Sequence, residues 1–378
     1  MKKLLSVLLV FVMVWGLVGC SSDTGSTGGT DSTPGAPSDT SGGASGPDAG
    51  ADKDGYVIAF TDAFNGNTFH QEIEQYYTDA CEELKAQGII KDYVLDCANN
   101  DAAAQVSQIQ NFIMMGVDAI IVDPTSGTAL DGAIEEATAA GIPVISFNDG
   151  PISSPDAYQI LVDCVYNFDY ITRWACEKMG GKGDLLLIRG LAGNEYDNQA
   201  YQGMQQALAD FPDVNVVGEV YGEWNATVAQ QEVASILPSL KNVDFVVGQG
   251  GDAYGAVQAF QAAGMDVPLI TAGHRANFIN WWGEAYEKNG YETISGMATP
   301  WFGAAAVYYA IDVLDGKDVA RYTVYPMELI TVENLGEYAG KFDDTWVIAT
   351  EHDWEWVRSE LETQDSDANI PDLVKNHK

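Results

Sequence analysis

Basic residues are scarce in this chain: 18 Lys and Arg stand against 55 Asp and Glu, giving a formal net charge of -37. Nucleic-acid binding needs Lys and Arg to displace phosphate counterions, and no basic stripe is present to do so. The same deficit excludes electrostatic attachment to anionic lipid. Histidine is equally thin, with His70, His274, His352 and His377 scattered and no C-x-x-C nearby, so neither a structural zinc site nor a cofactor is expected. Beyond Cys20 there are Cys81, Cys97, Cys164 and Cys176, an even number that permits disulfides without requiring them. On one helix, Cys164 and Cys176 would stand about 18 Å apart and could not bridge. Apolar runs are short too: the longest, residues 4–18, falls below the roughly 20 residues of a bilayer span.

What is present is globular composition. Hydrophobic residues make up 46% and charged residues 19% of 378 positions, which excludes a wholly disordered chain and is too long for a single core. Lys2 and Lys3, the apolar run and Gly19-Cys20 have the layout of an export leader. Leu17-Val18-Gly19-Cys20 resembles a bacterial lipobox, which implies acylation at Cys20 and anchoring to a membrane face. Residues 1–20 are therefore expected to be the leader. Residues 21–54, rich in Gly, Ser, Thr and Asp, read as a linker with a span of roughly 30–35 Å.

From Tyr56 onward, short apolar runs alternate with helical patterns. Runs at 56–60, 93–95, 119–122 and 144–147 read as buried strands, and so do 185–188, 214–220, 245–247, 269–271 and 294–297. Val106, Ile109 and Ile113 recur at helical spacing after a cap-rich Asn99-Asn100-Asp101, with Gly116 as a stop. Ala200, Met204, Ala207, Leu208 and Phe211 share one helix face. The two series predict an α/β protein with two Rossmann-like lobes, each a parallel sheet covered on both faces. Ligand sites in such sheets lie beyond the carboxyl ends of the strands. Residues there are mostly polar and aromatic, the composition of a small-molecule pocket.

At these positions the chain resembles type I periplasmic binding proteins, in particular the ribose- and galactose-binding receptors of ABC importers. The resemblance rests on Asn65-Gly66-Asn67-Thr68-Phe69, Ile121-Val122-Asp123-Pro124-Thr125, Gly141-Ile142-Pro143-Val144-Ile145, Gly190-Leu191-Ala192-Gly193 and Asp252-Ala253-Tyr254-Gly255-Ala256. It implies lobes joined by a three-crossing hinge near Val162, Met297 and Tyr322. The N-terminal lobe would comprise 55–162 and 298–322, the C-terminal lobe 163–297 and 323–362, and a polar tail 363–378. It further implies a monomer that binds a sugar or polyol in the cleft and hands it to an ABC permease. Carried over by position, the ligand contacts would be Asn65, Phe69, Asp123, Asn148 and Asp149 from the first lobe, and Asn198, Trp224, Gln249 and His274 from the second. The family commonly has Asp-Arg at Asn148-Asp149, Arg at Asn198, Asn-Asp near Gln249-Gly250 and Asp at His274, so these departures leave the ligand's identity open. With Asp123 and Asp149 in the set and Arg275 the nearby cation beside His274, a neutral ligand is expected.

Two other readings stand beside this one. A receptor of the same fold could signal to a membrane transducer. Gly248-Gln249-Gly250-Gly251-Asp252-Ala253 also matches a dinucleotide-binding turn, with Asp266 near the place of a ribose-binding acid, but it sits midway through the second strand series. No Ser, Cys or paired carboxylate is placed near His274 to make it a general base. An exported binding protein rather than an enzyme is expected.

Overall fold

A computed structural model describes residues 55–147, 151–297 and 299–364. The leader, the linker, nearly all of the tail, and the Asn148 and Asp149 positions lie outside the described residues.

The first lobe opens with β1 (Tyr56–Asp62), α1 (Thr68–Ala86), β2 (Ile90–Cys97), α2 (Ala102–Met115), β3 (Ala119–Val122), α3 (Asp131–Ala139), β4 (Val144–Phe147) and β5 (Tyr158–Val162). The second follows with α4 (Cys164–Lys178), β6 (Lys182–Arg189), α5 (Glu195–Ala209), β7 (Asp213–Tyr221), α6 (Ala226–Ile236), β8 (Phe245–Gly248), α7 (Ala253–Ala262), β9 (Leu269–Thr271), α8 (Ala276–Asn289) and β10 (Ser295–Met297). Then come α9 (Phe302–Leu314), β11 (Tyr322–Tyr325) and β12 (Glu328–Ile330). The first sheet runs β11-β5-β4-β3-β1-β2 and the second β7-β6-β8-β9, parallel at every pairing. This is the expected two-lobed architecture.

Strand alternation feeds two cores per lobe. In β1, Ile58 and Phe60 enter the core beneath α1 and α9, while Ala59 enters the one beneath α2 and α3. In β6, Leu186 and Ile188 face one core, Leu185 and Leu187 the other. The cap residues act as their types dictate. Asp101 accepts from the N–H groups of Ala103 and Ala104 to start α2, and Gly116 ends it at a left-handed φ of 69°. α9 is buried along most of its length, and Gly303 lets it pack directly on the α1 backbone; a Cβ there would stand 2.1 Å from the Ile73 carbonyl oxygen.

The hinge differs from expectation. β11 pairs with β5, so residues 322–325 belong to the first lobe. The antiparallel pair β10-β12 then leads into the second lobe, where Leu335 and Ile348 enter its core. The chain returns once more, burying Val357 and Leu361 under α9 in the first lobe. The lobes are thus joined by four crossings rather than three, and the stretch expected as a continuous 323–362 is divided between them. Gln364 fastens the return by bonding both the N–H and the carbonyl of Val324 with its side-chain amide, at 2.8 and 3.0 Å. The run at β5 was not read as a strand because Gln159 interrupts it; that buried amide bonds the N–H and carbonyl of Ile152, both at 3.0 Å.

Among the described residues Cys81, Cys97, Cys164 and Cys176 form no disulfide, and Cys164 and Cys176 both lie on α4. Among the described residues no helix is long and apolar enough to cross a membrane.

Candidate functional site

A cleft of about 630 Å³ opens between the carboxyl ends of the two sheets and is lined from both lobes. α1, α5 and α6 all start at it, each capped by an Asn side chain, namely Asn67, Asn194 and Asn225. Because these caps accept from first-turn N–H groups, the helix starts are already occupied and are not open anion sites.

On the second lobe Trp224 forms the wall. The chain after β7 turns through two consecutive left-handed residues, Glu223 and Trp224, each at φ 52°, before the Asn225 cap. The first lobe repeats this device after β2 with Asn99 and Asn100, at φ 52° and 62°, before the Asp101 cap, and Asn100 also lines the cleft. Non-glycine residues in this region are uncommon and concentrate at functional sites. The Trp224 indole lies against Gly190, where a Cβ would stand 2.3 Å from its ring. Tyr196 meets it edge-on with centroids 6.0 Å apart, and the buried indole Nε1 has no hydrogen-bond partner among the described residues.

Behind that wall, Arg189 Nε donates to Asp197 at 3.1 Å, and both residues are buried. Asp197 and Gln249 each accept from the Gly190 N–H, at 3.0 and 2.9 Å, while Gln249 Nε2 bonds the Asp197 carbonyl. Gln249 is among the residues lining the cleft, and its amide ties the end of β8 to the chain after β6. Gly250 and Gly251, part of the glycine-rich turn, make room for protein groups: a Cβ on Gly251 would meet the Trp224 carbonyl at 2.6 Å and Arg275 Nε at 2.9 Å.

Phe69 lines the first-lobe wall with Phe64 and His70. His70 Nδ1 lies 3.1 Å from Asp62 Oδ1 and 3.3 Å from Asp123 Oδ2, and both carboxylates are fully buried. Burial alone would lower the His70 pKa, but the bonds to Asp123 and Asp62 hold it well above the usual imidazole range. Burial pushes Asp62 up, partly offset by His70. Asp123 therefore stands one layer behind the cleft surface and acts through His70. Buried Gln105 fixes its position, donating to the Asp123 and Thr61 carbonyls and accepting from the Thr125 N–H.

Three expected contacts are placed elsewhere. Asn65 Nδ2 bonds Glu74 at 3.2 Å outside the cleft lining, and Asn67 takes the cleft position. Asn198 is exposed because α5 buries Asp197, Ala200, Met204 and Ala207 along one stripe, which turns the next residue away. His274 is buried in a separate cavity of about 220 Å³ beside Glu328 and Tyr338, with both ring nitrogens unpartnered among the described residues. Burial lowers its pKa to about 4. Its neighbour Arg275 faces the cleft instead, makes no ion pair among the described residues, and feels Glu72 and Asp252 at longer range. Burial raises Asp252 to about 7. His70, Asn67 and Asn100 were missed as cleft residues; the repeated Asn before a helix cap was the available signal.

Residues 58–318 match the family model described as periplasmic binding protein domain. Among curated proteins the chain is 29% identical to a xylitol-binding protein of Mycolicibacterium smegmatis over 64% of this chain and 69% of that one. It is also 29% identical to a putative rhizopine-binding protein of Rhizobium meliloti, over 66% and 83%. Among solved structures, an ABC transporter solute binding protein from Thermobispora bispora superposes with a TM-score of 0.74 at 31% identity, covering 81% of this chain and 95% of that one.

Proposed function

The chain belongs to the periplasmic binding protein family, and from that premise we propose that it captures a small neutral carbohydrate or polyol between its lobes and delivers it to an ABC permease. The observation that carries this reading is the wall itself: an indole held in a left-handed turn against Gly190, with Phe64 and Phe69 contributed by the opposite lobe. Flat aromatic surface suits the apolar face of a sugar ring or an extended polyol. Amide side chains at Asn67, Asn100, Gln249 and Asn277 bring both donors and acceptors for hydroxyl groups. The name of the xylitol-binding relative agrees with a polyol ligand.

Neutrality follows from the charges. Asp62 and Asp123 lie beside His70, and Glu72 and Asp252 near Arg275, so each cation at the cleft already has carboxylates beside it and an anionic ligand would compete with them. We further propose that Cys20 is acylated and tethers the receptor outside the cytoplasm through the linker. A binding protein rather than an enzyme fits His274, which lies apart from the cleft with no partner to make it a base.

A thermal-shift screen of the full chain tests the ligand class, since a ligand that binds only the folded state adds about 2.7 kcal/mol at a hundredfold excess over Kd. Neutral sugars or polyols should raise Tm. A response confined to sugar acids or phosphates would reject the neutral assignment.

A further inference from the structure

The histidines are scattered in sequence, yet the fold brings one of them against two carboxylates at the base of the cleft. We propose that Asp62, His70 and Asp123 form a binding site for a divalent transition cation such as Zn²⁺, with an open coordination position facing the cleft. The spacing supports it: His70 Nδ1 is 3.1 Å from Asp62 Oδ1 and 3.3 Å from Asp123 Oδ2, and all three donor atoms lie within 4.8 Å of one another. Ligand atoms at about 2.0–2.1 Å from a tetrahedral zinc stand roughly 3.3 Å apart, which matches both separations from His70 Nδ1.

Burial supports it independently: Asp62 and Asp123 are fully buried, and Glu74, which accepts from Asn65 Nδ2 at 3.2 Å, adjoins both His70 and Asp62. Among the described residues the buried Asp62 Oδ2 has no hydrogen-bond partner. One imidazole and two carboxylates suit zinc-like ions better than Mg²⁺ or Ca²⁺, which prefer all-oxygen shells. Of the three, His70 lines the cleft, so the entry path would run past its ring. The open coordination position would accept a ligand hydroxyl, so the inference deepens the proposed function and rests on it for this role alone.

The test uses Zn²⁺ by itself on the chelator-treated full chain, with no sugar present, so its outcome is separate from that of the ligand screen. Calorimetry should show one equivalent bound, little response to Mg²⁺ or Ca²⁺, and an affinity reduced about 10–100-fold or more in Asp62→Asn and His70→Gln. Asp344→Asn, an exposed carboxylate at the cleft rim, should leave binding unchanged. Absence of binding, or equal binding in Asp62→Asn and His70→Gln, would overturn the site. Should those variants not fold, Co²⁺ added to the wild-type chain decides the matter. Intense visible absorption of a four-coordinate ion supports the site, and the weak spectrum of a six-coordinate ion refutes it.

Discussion

Replacing Gly190 with Ala perturbs the cleft wall without touching a ligand-facing side chain. The new Cβ would stand 2.3 Å from Cε2 and Cζ2 of Trp224 and 2.6 Å from Nε1. Ordinary carbon contacts lie at about 3.5–4.0 Å, so the indole must retreat by more than about 1 Å. Gly190 is not among the glycines at positive φ, so Ala brings no backbone strain of its own. Its N–H keeps both acceptors, Asp197 and Gln249. Room for the indole is limited by Tyr196 and by Gly250, where a Cβ would already sit 3.4 Å from Trp224 Cδ1. The expected loss of affinity for the best ligand of the screen is about 1–3 kcal/mol, or roughly 5–150-fold, the scale of a displaced aromatic anchor. Trp224→Ala should lose a similar amount, and the double variant little more than either, because both changes remove one interaction. Titration calorimetry on the three variants measures this. Wild-type affinity in Gly190→Ala, or additive losses in the double variant, would show that the indole is not the ligand's wall.

Other expectations follow from the same geometry. Arg189→Leu leaves Asp197 charged and buried without its partner, and chemical denaturation should report a loss of about 3–5 kcal/mol; a loss under about 1 kcal/mol would contradict the pairing. His274 has a folded pKa lowered to about 4 against 6.5, so the unfolded chain binds the extra proton between those values. The stability it contributes is complete above pH 6.5 and falls toward pH 4, by on the order of 3 kcal/mol. Melting curves of wild type minus His274→Gln should narrow over that window, whereas a constant difference would refute the buried neutral imidazole. Gly132, in α3 with nothing within 4 Å of its would-be Cβ, should tolerate Ala with a gain of about 0.4–1 kcal/mol and unchanged ligand affinity. Cys20→Ala should abolish incorporation of labelled fatty acid, and persistent labelling would reject the lipobox.

The alternation of apolar runs with capped helical patterns made the two lobes legible, since central strands such as β3, β4 and β8 are buried throughout and helices such as α2 stop at a cap or glycine. Gly116 and Asp101 show this directly. The cleft was legible to within a residue or two and no better. His274 was expected where Arg275 lines the cleft and Asn65 where Asn67 does, while Asn198 is turned outward beside Asp197, which is buried behind the wall. In each case the error is one of phase: helix rotation or chain alternation decides which neighbour faces the ligand, and composition near a strand end does not. The Asp62, His70 and Asp123 cluster had no spacing signal at all, because β1 and β3 meet only in the sheet and α1 folds back over the end of β1. The fourth crossing was hidden for a similar reason, since residues 349–361 show no strand pattern and reveal their lobe only through Val357 and Leu361.

The central claim is that ligand is held between the lobes, and small-angle scattering on the full chain tests it most directly. At saturation with the sugar or polyol identified by the screen, the lobes should close on Trp224, Phe64 and Phe69, and the radius of gyration should fall. An unchanged radius with calorimetry showing the ligand bound would mean that it occupies some other place than this cleft, or that the four-crossing hinge does not close.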